Sequence, residues 1–186
     1  MRIVAGSFRG RRLTSPRGRA TRPTRDKVRE ALFDLLGPVE GFRAADLFAG
    51  SGALGLEALS RGAKWLVLVD KADSALAAIR SNLKALGVVS QGGQAAGLVV
   101  KKDLARGLGF LAKWAPLDLI LADPPYGQGW ARRLISGLPA GILSCGGLLA
   151  IESEASDPPP ADRPWRLVKQ RRYGQSLITI LTPEAT

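Results

Sequence analysis

The stretch Asp46-Leu-Phe-Ala-Gly50-Ser-Gly52-Ala-Leu-Gly55 joins an apolar segment to a helical pattern. The apolar run 44–48 predicts a buried strand, and the spacing of apolar residues over 53–61 predicts a helix. Glycines at such a junction allow unusual backbone dihedrals and a close approach to a ligand beyond the carboxyl end of the strand. The stretch therefore predicts the opening strand and helix of a doubly wound α/β fold, with a ligand cleft at this edge.

Alternating strands and helices follow this junction along the chain. Strands are predicted over residues 65–69, 98–100, 117–122 and 148–151, and helices over residues 73–86, 104–114 and 130–138. Because these strands are apolar along their length, we expect them to be buried on both faces, as in a parallel sheet covered by helices. Residues 165–172 and 177–181 predict a closing antiparallel hairpin. The expected fold is a Rossmann-like sheet, mostly parallel, with an antiparallel end.

The first 42 residues have a different character from the rest. Residues 2–5 and 10–13 flank a turn and predict a short basic hairpin. Apolar residues at helical spacing then predict a helix with Thr24 as its N-cap, which stops before Gly37. The chain is therefore expected to divide into a basic N-terminal extension, residues 1–42, and a core, residues 43–186.

Positive charge is concentrated at the two ends of the 186-residue chain. The net charge is +11 with a pI near 10.7, and eight arginines precede the first acidic residue, Asp26. Guanidinium groups suit phosphate and base edges, so a nucleic-acid partner is expected, although a solvated surface or GC-rich codon usage would also enrich arginine. Residues 163–172 form a second basic patch. The candidate RNA contacts are Arg9, Arg11, Arg12, Arg22 and Arg25.

Several classes of chemistry are excluded by composition. The chain has no histidine and a single cysteine, Cys145, so histidine-based catalysis, an internal disulfide and cysteine or histidine metal clusters cannot occur. We therefore expect no metal. No apolar run approaches the length of a membrane span, and the arginine-rich N-terminus lacks the apolar stretch of a signal peptide. A cytoplasmic location without a membrane partner is expected.

The glycine stretch also satisfies a dinucleotide-binding pattern. Gly50, Gly52 and Gly55 fit GxGxxG, and Asp70 lies twenty residues beyond Gly50, where an acid holds ribose hydroxyls. Asp46 ends a buried strand, a position that suits an acid which orders the loop or faces a cationic cofactor. The loop alone does not separate a nicotinamide cofactor from S-adenosylmethionine, and a purely structural turn is also compatible with it.

A third acid, Asp103, follows the third predicted strand of this region. It is a candidate contact to an adenine amino group and equally a candidate N-cap for the following helix. The predicted cofactor contacts are Asp46, Ala49, Gly50, Ser51, Gly52, Asp70, Lys71, Asp103 and Leu104.

The motif Asp123-Pro124-Pro125-Tyr126 follows the apolar strand 117–122 and indicates the chemistry. Prolines fix the backbone and leave carbonyls that only accept hydrogen bonds. The Asp123 carboxylate and a backbone carbonyl can accept the two hydrogens of a planar amine, while the Tyr126 ring stacks on the base. Holding both hydrogens favours pyramidalisation and aims the nitrogen lone pair at an electrophilic methyl group. We expect Tyr126→Phe to keep most activity, since only the ring is used, and Tyr126→Ala to lose it.

The chain resembles the class I S-adenosylmethionine-dependent methyltransferases that modify amines, through residues 46–57 and 123–126. Residues 10–13 and 22–33 are similar to the RsmD family, whose members methylate a guanine N2 in bacterial 16S ribosomal RNA. The resemblance covers nearly the whole chain. It implies that Gly50 and Gly52 line the cofactor, that Asp70 and Asp103 hold its ribose and adenine, and that residues 123–126 grip the base.

The sequence departs from that family at three places. The family often has Phe where this chain has Tyr126, and Glu where it has Asp70, and the basic loop 14–22 differs in composition. The alternatives are an amino-methyltransferase acting on another RNA or on DNA adenine or cytosine, a nicotinamide oxidoreductase, and a non-enzymatic RNA-binding assembly factor. An assembled small ribosomal subunit and naked RNA are both possible substrates.

Overall fold

The computed structural model describes residues 1–16, 23–88, 96–160 and 164–184, and it describes only the backbone of residues 23–25. The helices are α1 Pro23–Leu36, α2 Ala53–Ser60, α3 Asp73–Ala85 and α4 Trp130–Gly137. The strands are β1 Arg43–Leu47, β2 Trp65–Asp70, β3 Gly97–Lys101, β4 Leu117–Ala122, β5 Leu143–Glu154, β6 Trp165–Tyr173 and β7 Ser176–Pro183.

The seven strands form one sheet in the order β3-β2-β1-β4-β5-β7-β6. Strands β1 to β5 pair in parallel, and β7 lies antiparallel between β5 and β6. The predicted doubly wound sheet with an antiparallel end is confirmed. The strand order reverses between β1 and β4, so a crevice opens where Leu47 pairs with Ala122.

Both faces of the central strands are buried. In β1, Ala44 packs in the cluster formed with helices α1, α2 and α3, while Ala45 and Leu47 pack in the cluster formed with α4. Each of these side chains is fully shielded from solvent. This two-sided burial explains why the strands read as continuous apolar runs rather than as alternating patterns.

Three predicted elements differ in detail from the structure. The predicted helix 104–114 is wrong, because Gly107 adopts φ 107° and divides the segment into 3₁₀ helices at Leu104–Arg106 and Gly109–Trp114. The N-cap prediction for Thr24 is also wrong, since α1 already begins at Pro23, whose fixed φ suits a first helical position. Strand β5 extends well beyond the predicted 148–151, through a register shift near Gly147.

The N-terminal hairpin packs onto helix α2. Arg2 and Arg12 form its antiparallel bridge, and Ile3 is buried in the same apolar cluster as Phe33. Its turn approaches the helix so closely that a Cβ atom on Gly6 would lie 1.8 Å from the carbonyl oxygen of Ser60. Only glycine fits there. The predicted hairpin is thus present and continuous with the core, while the division into two functional parts remains a prediction.

A buried carboxylate holds this hairpin. Glu57 of α2 is fully buried and accepts the backbone N–H of Val4 at 2.8 Å and that of Ala5 at 2.9 Å. Arg61 Nε lies 2.9 Å from one Glu57 oxygen, and Arg29 Nε lies 3.5 Å from the other. Glu57 therefore joins the hairpin, α1 and α2 through one charged centre.

Asn82 of α3 fixes the segment that leaves the hairpin. Its side chain exchanges hydrogen bonds with the backbone of Thr14, at 2.7 and 2.9 Å, and donates to the Ser51 carbonyl at 2.9 Å. Because Ser51 belongs to the glycine loop, Asn82 couples the N-terminal segment to that loop.

No helix in the described ranges is both long and apolar enough to cross a bilayer. Within the same ranges, no cluster of three or more acidic or cysteine side chains is arranged to hold a metal ion.

Candidate functional site

Three aspartates meet where the carboxyl ends of neighbouring strands come together. Asp46 lies in β1, Asp70 ends β2 and Asp123 follows β4. They are close enough that the charges of Asp123 and Asp70 both act on Asp46. Such a concentration of negative charge at one sheet edge favours a cationic ligand.

The glycine loop between β1 and α2 adopts a strained conformation. Phe48 has φ 60°, an uncommon value for a bulky residue, and Gly50 and Gly52 have φ 57° and 80°. The Phe48 ring packs edge-on against Trp130, with centroids 4.8 Å apart. Strain of this kind persists where the surroundings over-determine it, and it is common at ligand sites.

Asp46 is an ordering residue at the base of the loop. Its Oδ2 accepts the backbone N–H of Gly55 at 2.8 Å, across the start of α2. Burial raises the pKa of this carboxyl to about 7, the Gly55 hydrogen bond opposes the rise, and the charges of Asp123 and Asp70 add to it. Asp46 can therefore order the loop and favour a cation at once.

Asp46 makes the stability of the ligand-free protein depend on pH. A carboxyl whose pKa is raised by folding binds its proton more tightly in the folded state, so the free energy of unfolding falls as pH rises from about 4 to about 7. Asp46→Asn keeps an oxygen for Gly55 and does not titrate. Chemical denaturation at pH 4.5 and at pH 7.5 measures how far the free energy of unfolding falls between the two pH values. The fall should be smaller in Asp46→Asn than in the wild type by about 1–3 kcal/mol. Equal losses in the two proteins would contradict a raised pKa.

A cavity of about 220 Å³ opens beside Asp70. Its polar lining includes Asp70, Lys71 and Asp103, and Leu104 and Trp130 line its apolar side. A cavity lined by two acids and by apolar side chains suits a nucleoside, whose ribose and base amine donate hydrogen bonds.

Asp70 is positioned by the backbone around it. One oxygen accepts the N–H of Gly50 at 2.9 Å and the other accepts the N–H of Ala72 at 2.9 Å. Carboxylate oxygens each accept more than one hydrogen bond, so ribose hydroxyls can still be held. Asp70 thereby connects the glycine loop to the larger cavity.

We expect Asp70→Ala to weaken S-adenosylmethionine binding about ten- to hundredfold, the equivalent of about 1.5–3 kcal/mol. The change removes the proposed ribose acceptor together with the acceptor of the Gly50 N–H. Titration calorimetry on the folded variant checks this. The matched control is Asp73→Ala, an exposed acid that pairs with Lys101 outside the cavity. Equal affinity in Asp70→Ala and the wild type would contradict the ribose role.

Asp103 is an N-cap and a cavity-lining residue at once. Its Oδ1 accepts the Ala105 N–H at 3.1 Å, and Lys71 Nζ lies 3.7 Å from its Oδ2. The N-cap alternative is thus observed, for the 3₁₀ helix Leu104–Arg106 rather than for the predicted helix, and the contact to adenine stays a prediction.

A smaller cavity of about 60 Å³ adjoins the larger one, and Pro16, Phe48 and Gly50 line both. Asp46, Asp123 and Glu152 line it, together with Ala49 and Ser51 of the loop. Met1, Ser15, Pro16 and Arg29 close it from the N-terminal side. The N-terminal segment therefore forms part of the site as well as a basic surface.

Gly52 lies on neither cavity lining. It precedes α2, and a Cβ atom there would lie 2.9 Å from a Leu68 methyl group, so its positive φ and close packing explain the glycine. Gly52 shapes the loop, and its direct cofactor contact remains a prediction.

Tyr126 has partners for its hydroxyl as well as its ring. The side chain is 41% exposed, and its Oη lies 3.0 Å from Glu152 Oε1 and 2.9 Å from Ser176 Oγ. Burial raises its pKa to about 12, with Glu152 adding to the rise, so the hydroxyl stays protonated and can donate. The hydroxyl is therefore tied to two neighbours, and the expectation that activity uses only the ring stays a prediction.

Sequence reasoning missed Glu152, Ser176, Arg29, Phe48 and Trp130. The sequence does indicate Glu152, because this acid follows the predicted apolar strand 148–151 in the same way that Asp123 follows the strand 117–122. Ser176, Arg29 and Trp130 reach the site from distant parts of the chain, and nothing local marks them.

The structure describes the side chains of three of the five arginines that are predicted to bind RNA. Arg9, Arg11 and Arg12 are exposed on the hairpin, and Arg11 donates to the Ala85 carbonyl at 3.2 Å. Arg22 and the side chain of Arg25 lie outside the described residues, as does Arg163 at the start of the second basic patch.

The two cavities together suit a ligand with a nucleoside at one end and positive charge at the other. S-Adenosylmethionine has this form, and its sulfonium and ammonium groups match the aspartates around the glycine loop. The fold and the site define an S-adenosylmethionine-dependent methyltransferase.

Comparison with known proteins gives the family. The chain belongs to the family described as Conserved hypothetical protein 95, whose model matches residues 1–182. It is 36% identical over 189 residues to ribosomal RNA small subunit methyltransferase D of Escherichia coli K12, covering 100% of this chain and 91% of that protein. The Haemophilus influenzae protein of the same name is 32% identical, covering 94% and 89%. The resemblance to the RsmD family is confirmed.

A solved structure agrees with this assignment. The Escherichia coli protein yhhF superposes with a TM-score of 0.79 at 32% identity, covering 100% of this chain and 99% of its own. The likeness therefore includes the N-terminal hairpin and the reversed strand.

Proposed function

We propose that this chain transfers a methyl group from S-adenosylmethionine to the exocyclic N2 amine of a guanine in small-subunit 16S ribosomal RNA. The observation that carries the proposal is the position of Asp123, which lines the same cavity as Gly50 and Asp46 at the switch point of the sheet. The names of the relatives supply the class of RNA.

The residues of the chain act on the amine by position and charge. Asp123 accepts one hydrogen of the amine, and a backbone carbonyl at Pro124 or Pro125 accepts the other. The bound cofactor supplies a methyl group on a cationic sulfur. Gly50, Asp70 and Asp103 would hold that cofactor in the two cavities, and Asp123 would take the proton that the amine nitrogen releases. No imidazole is used, in agreement with a chain that has no histidine.

The aspartates and the strained loop prepare the site for this step. Asp46 and Asp123 place negative charge near the loop, and the packed rings of Phe48 and Trp130 line the larger cavity. Tyr126 is partly exposed and its hydroxyl contacts Glu152, which lines the smaller cavity. An extruded base can stack on its ring.

We also assign RNA binding to the N-terminal hairpin. Its arginines are exposed, and Met1 and Pro16 at its two ends line the cleft. RNA that spans the hairpin can therefore reach the pocket. We place the enzyme in the cytoplasm, acting on rRNA within an assembled small subunit.

Replacing Arg9, Arg11 and Arg12 together with Ala should weaken RNA binding and flatten its salt dependence. Each lost phosphate contact reduces the slope of log affinity against log salt by about 0.7–0.9. S-Adenosylmethionine affinity should not change. The matched control replaces Arg106, Lys113 and Arg132, three exposed cations that belong to the segments on the opposite face of the sheet.

Binding is measured over a salt series with naked RNA and with small subunits. A defect seen only on the subunit would indicate that the hairpin contacts a ribosomal protein, and an unchanged slope on both would contradict phosphate contacts.

Two measurements test the proposed function. Calorimetry with S-adenosylmethionine and with NAD separates a methyltransferase from an oxidoreductase. S-Adenosylmethionine should bind to the protein and NAD should not. Incorporation of labelled methyl groups into small subunits from a strain that lacks the enzyme should then be stoichiometric. Labelling of DNA in place of rRNA would favour the DNA amino-methyltransferase alternative.

A further inference from the structure

Glu152 occupies a position next to the proposed catalytic aspartate. It follows Ile151, which pairs with Ala122 in the register of β4 and β5, so Glu152 and Asp123 stand at the same level on adjacent strands. Adjacent strands lie about 4.8 Å apart. Both residues line the smaller cavity. Two carboxylates are therefore presented side by side to whatever enters it.

Two hydroxyl groups hold the Glu152 carboxylate in place. Ser176 Oγ of β7 donates to its Oε1 at 2.8 Å, and Tyr126 Oη lies 3.0 Å from the same oxygen. A carboxylate has about four lone-pair sites, so it retains acceptor capacity after these two bonds. Glu152 is thus an oriented acceptor, fixed by the tyrosine of the base-binding motif.

The Watson–Crick edge of guanine matches a pair of acceptors. It presents the N1–H donor beside the N2 amine, whereas adenine presents an acceptor at N1. If Asp123 accepts a hydrogen of the N2 amine, the neighbouring N1–H faces the position of Glu152. A base with an acceptor at N1 would place a lone pair against a carboxylate.

We infer that Glu152 reads the N1–H of the target guanine and sets the base specificity of the enzyme, held in position by Tyr126 and Ser176. This inference rests on the proposed function. It also gives the Tyr126 hydroxyl a positioning role that the ring alone does not supply.

The test uses small subunits in which the methylated guanosine, first located by mass spectrometry, is replaced by 2-aminopurine riboside. This base keeps the exocyclic amine and has an acceptor at N1. The wild type should prefer guanine by tenfold or more in kcat/KM. Glu152→Gln should lose about tenfold on guanine and gain relative use of 2-aminopurine, because the amide N–H donates to N1.

The decisive readout is the ratio of kcat/KM on guanine to kcat/KM on 2-aminopurine. The intrinsic reactivity of each amine cancels when this ratio is compared between two enzyme variants. Tyr126→Phe, which keeps the ring and removes one donor to Glu152, should shift the ratio in the same direction by a smaller factor. Asp34→Asn, an exposed acid on α1, is the matched control and should leave the ratio unchanged.

The outcomes separate the inference from the proposed function. An enzyme that leaves guanine-containing subunits unmethylated contradicts the proposed function itself. A wild type that methylates guanine and 2-aminopurine equally, or a Glu152→Gln variant that loses both equally, overturns the inference and leaves Glu152 as a structural tie. If Glu152→Gln does not fold, the ratio measured for Tyr126→Phe decides.

Discussion

Asp123→Ala should slow methyl transfer to rRNA by about 10²–10³ while the protein stays folded, because it removes an acceptor that positions the amine in the transition state. Asp123 lines the smaller cavity together with the glycine loop and Glu152. Single-turnover rates with bound S-adenosylmethionine measure the chemical step directly. The loss should appear in the rate and only weakly in RNA affinity.

Asp123→Asn is the matched variant for this prediction. The amide keeps the size of the side chain and one oxygen, yet it can present N–H donors to an amine that is itself a donor. Its rate should therefore fall between those of Asp123→Ala and the wild type. A rate within threefold of wild type for Asp123→Ala would remove this carboxylate from the mechanism.

Glu57→Ala should lower the free energy of unfolding by about 3–5 kcal/mol, because it removes a fully buried carboxylate that pairs with two arginines and accepts two backbone N–H groups. Glu57 is fully buried and holds Arg29, Arg61 and two backbone N–H groups of the hairpin. Chemical denaturation measures the loss. Trypsin should also cleave the hairpin at its arginines much faster than in the wild type.

Glu30→Ala is the control for the loss of an acidic side chain, since Glu30 is exposed on α1. It should change stability by less than about 0.5 kcal/mol. Because Met1 and Ser15 line the smaller cavity, release of the hairpin in Glu57→Ala should also weaken ligand binding. A hairpin that stays protected from trypsin in Glu57→Ala would show that the apolar contacts of Ile3 suffice to hold it.

The central strands and the main motifs were predictable from the sequence for a local reason. A strand buried on both faces must be apolar throughout, so β4 was placed correctly as residues 117–122. An acid directly after such a strand stands at the ligand-binding edge, which located Asp70 and Asp123. These signals are contained in a few consecutive residues.

The remaining features depend on contacts between distant parts of the chain. The hydroxyl partners of Tyr126 come from β5 and β7, 26 and 50 residues away. Glu57 reads as an ordinary helical residue, and only the docked hairpin, more than 50 residues earlier, shows why it is buried. The two 3₁₀ helices replace a predicted α-helix because Gly107 takes a positive φ, which spacing alone does not reveal.

The most direct test of the account is the identity of the methylated nucleoside. Small subunits from a strain that lacks the enzyme are incubated with the purified protein and labelled S-adenosylmethionine, and the rRNA is digested to nucleosides for mass spectrometry. We expect all of the label to appear as N2-methylguanosine, and we expect Asp123→Ala to reduce the amount formed at early times. Label on a ring nitrogen, on a ribose or on another base would contradict this expectation.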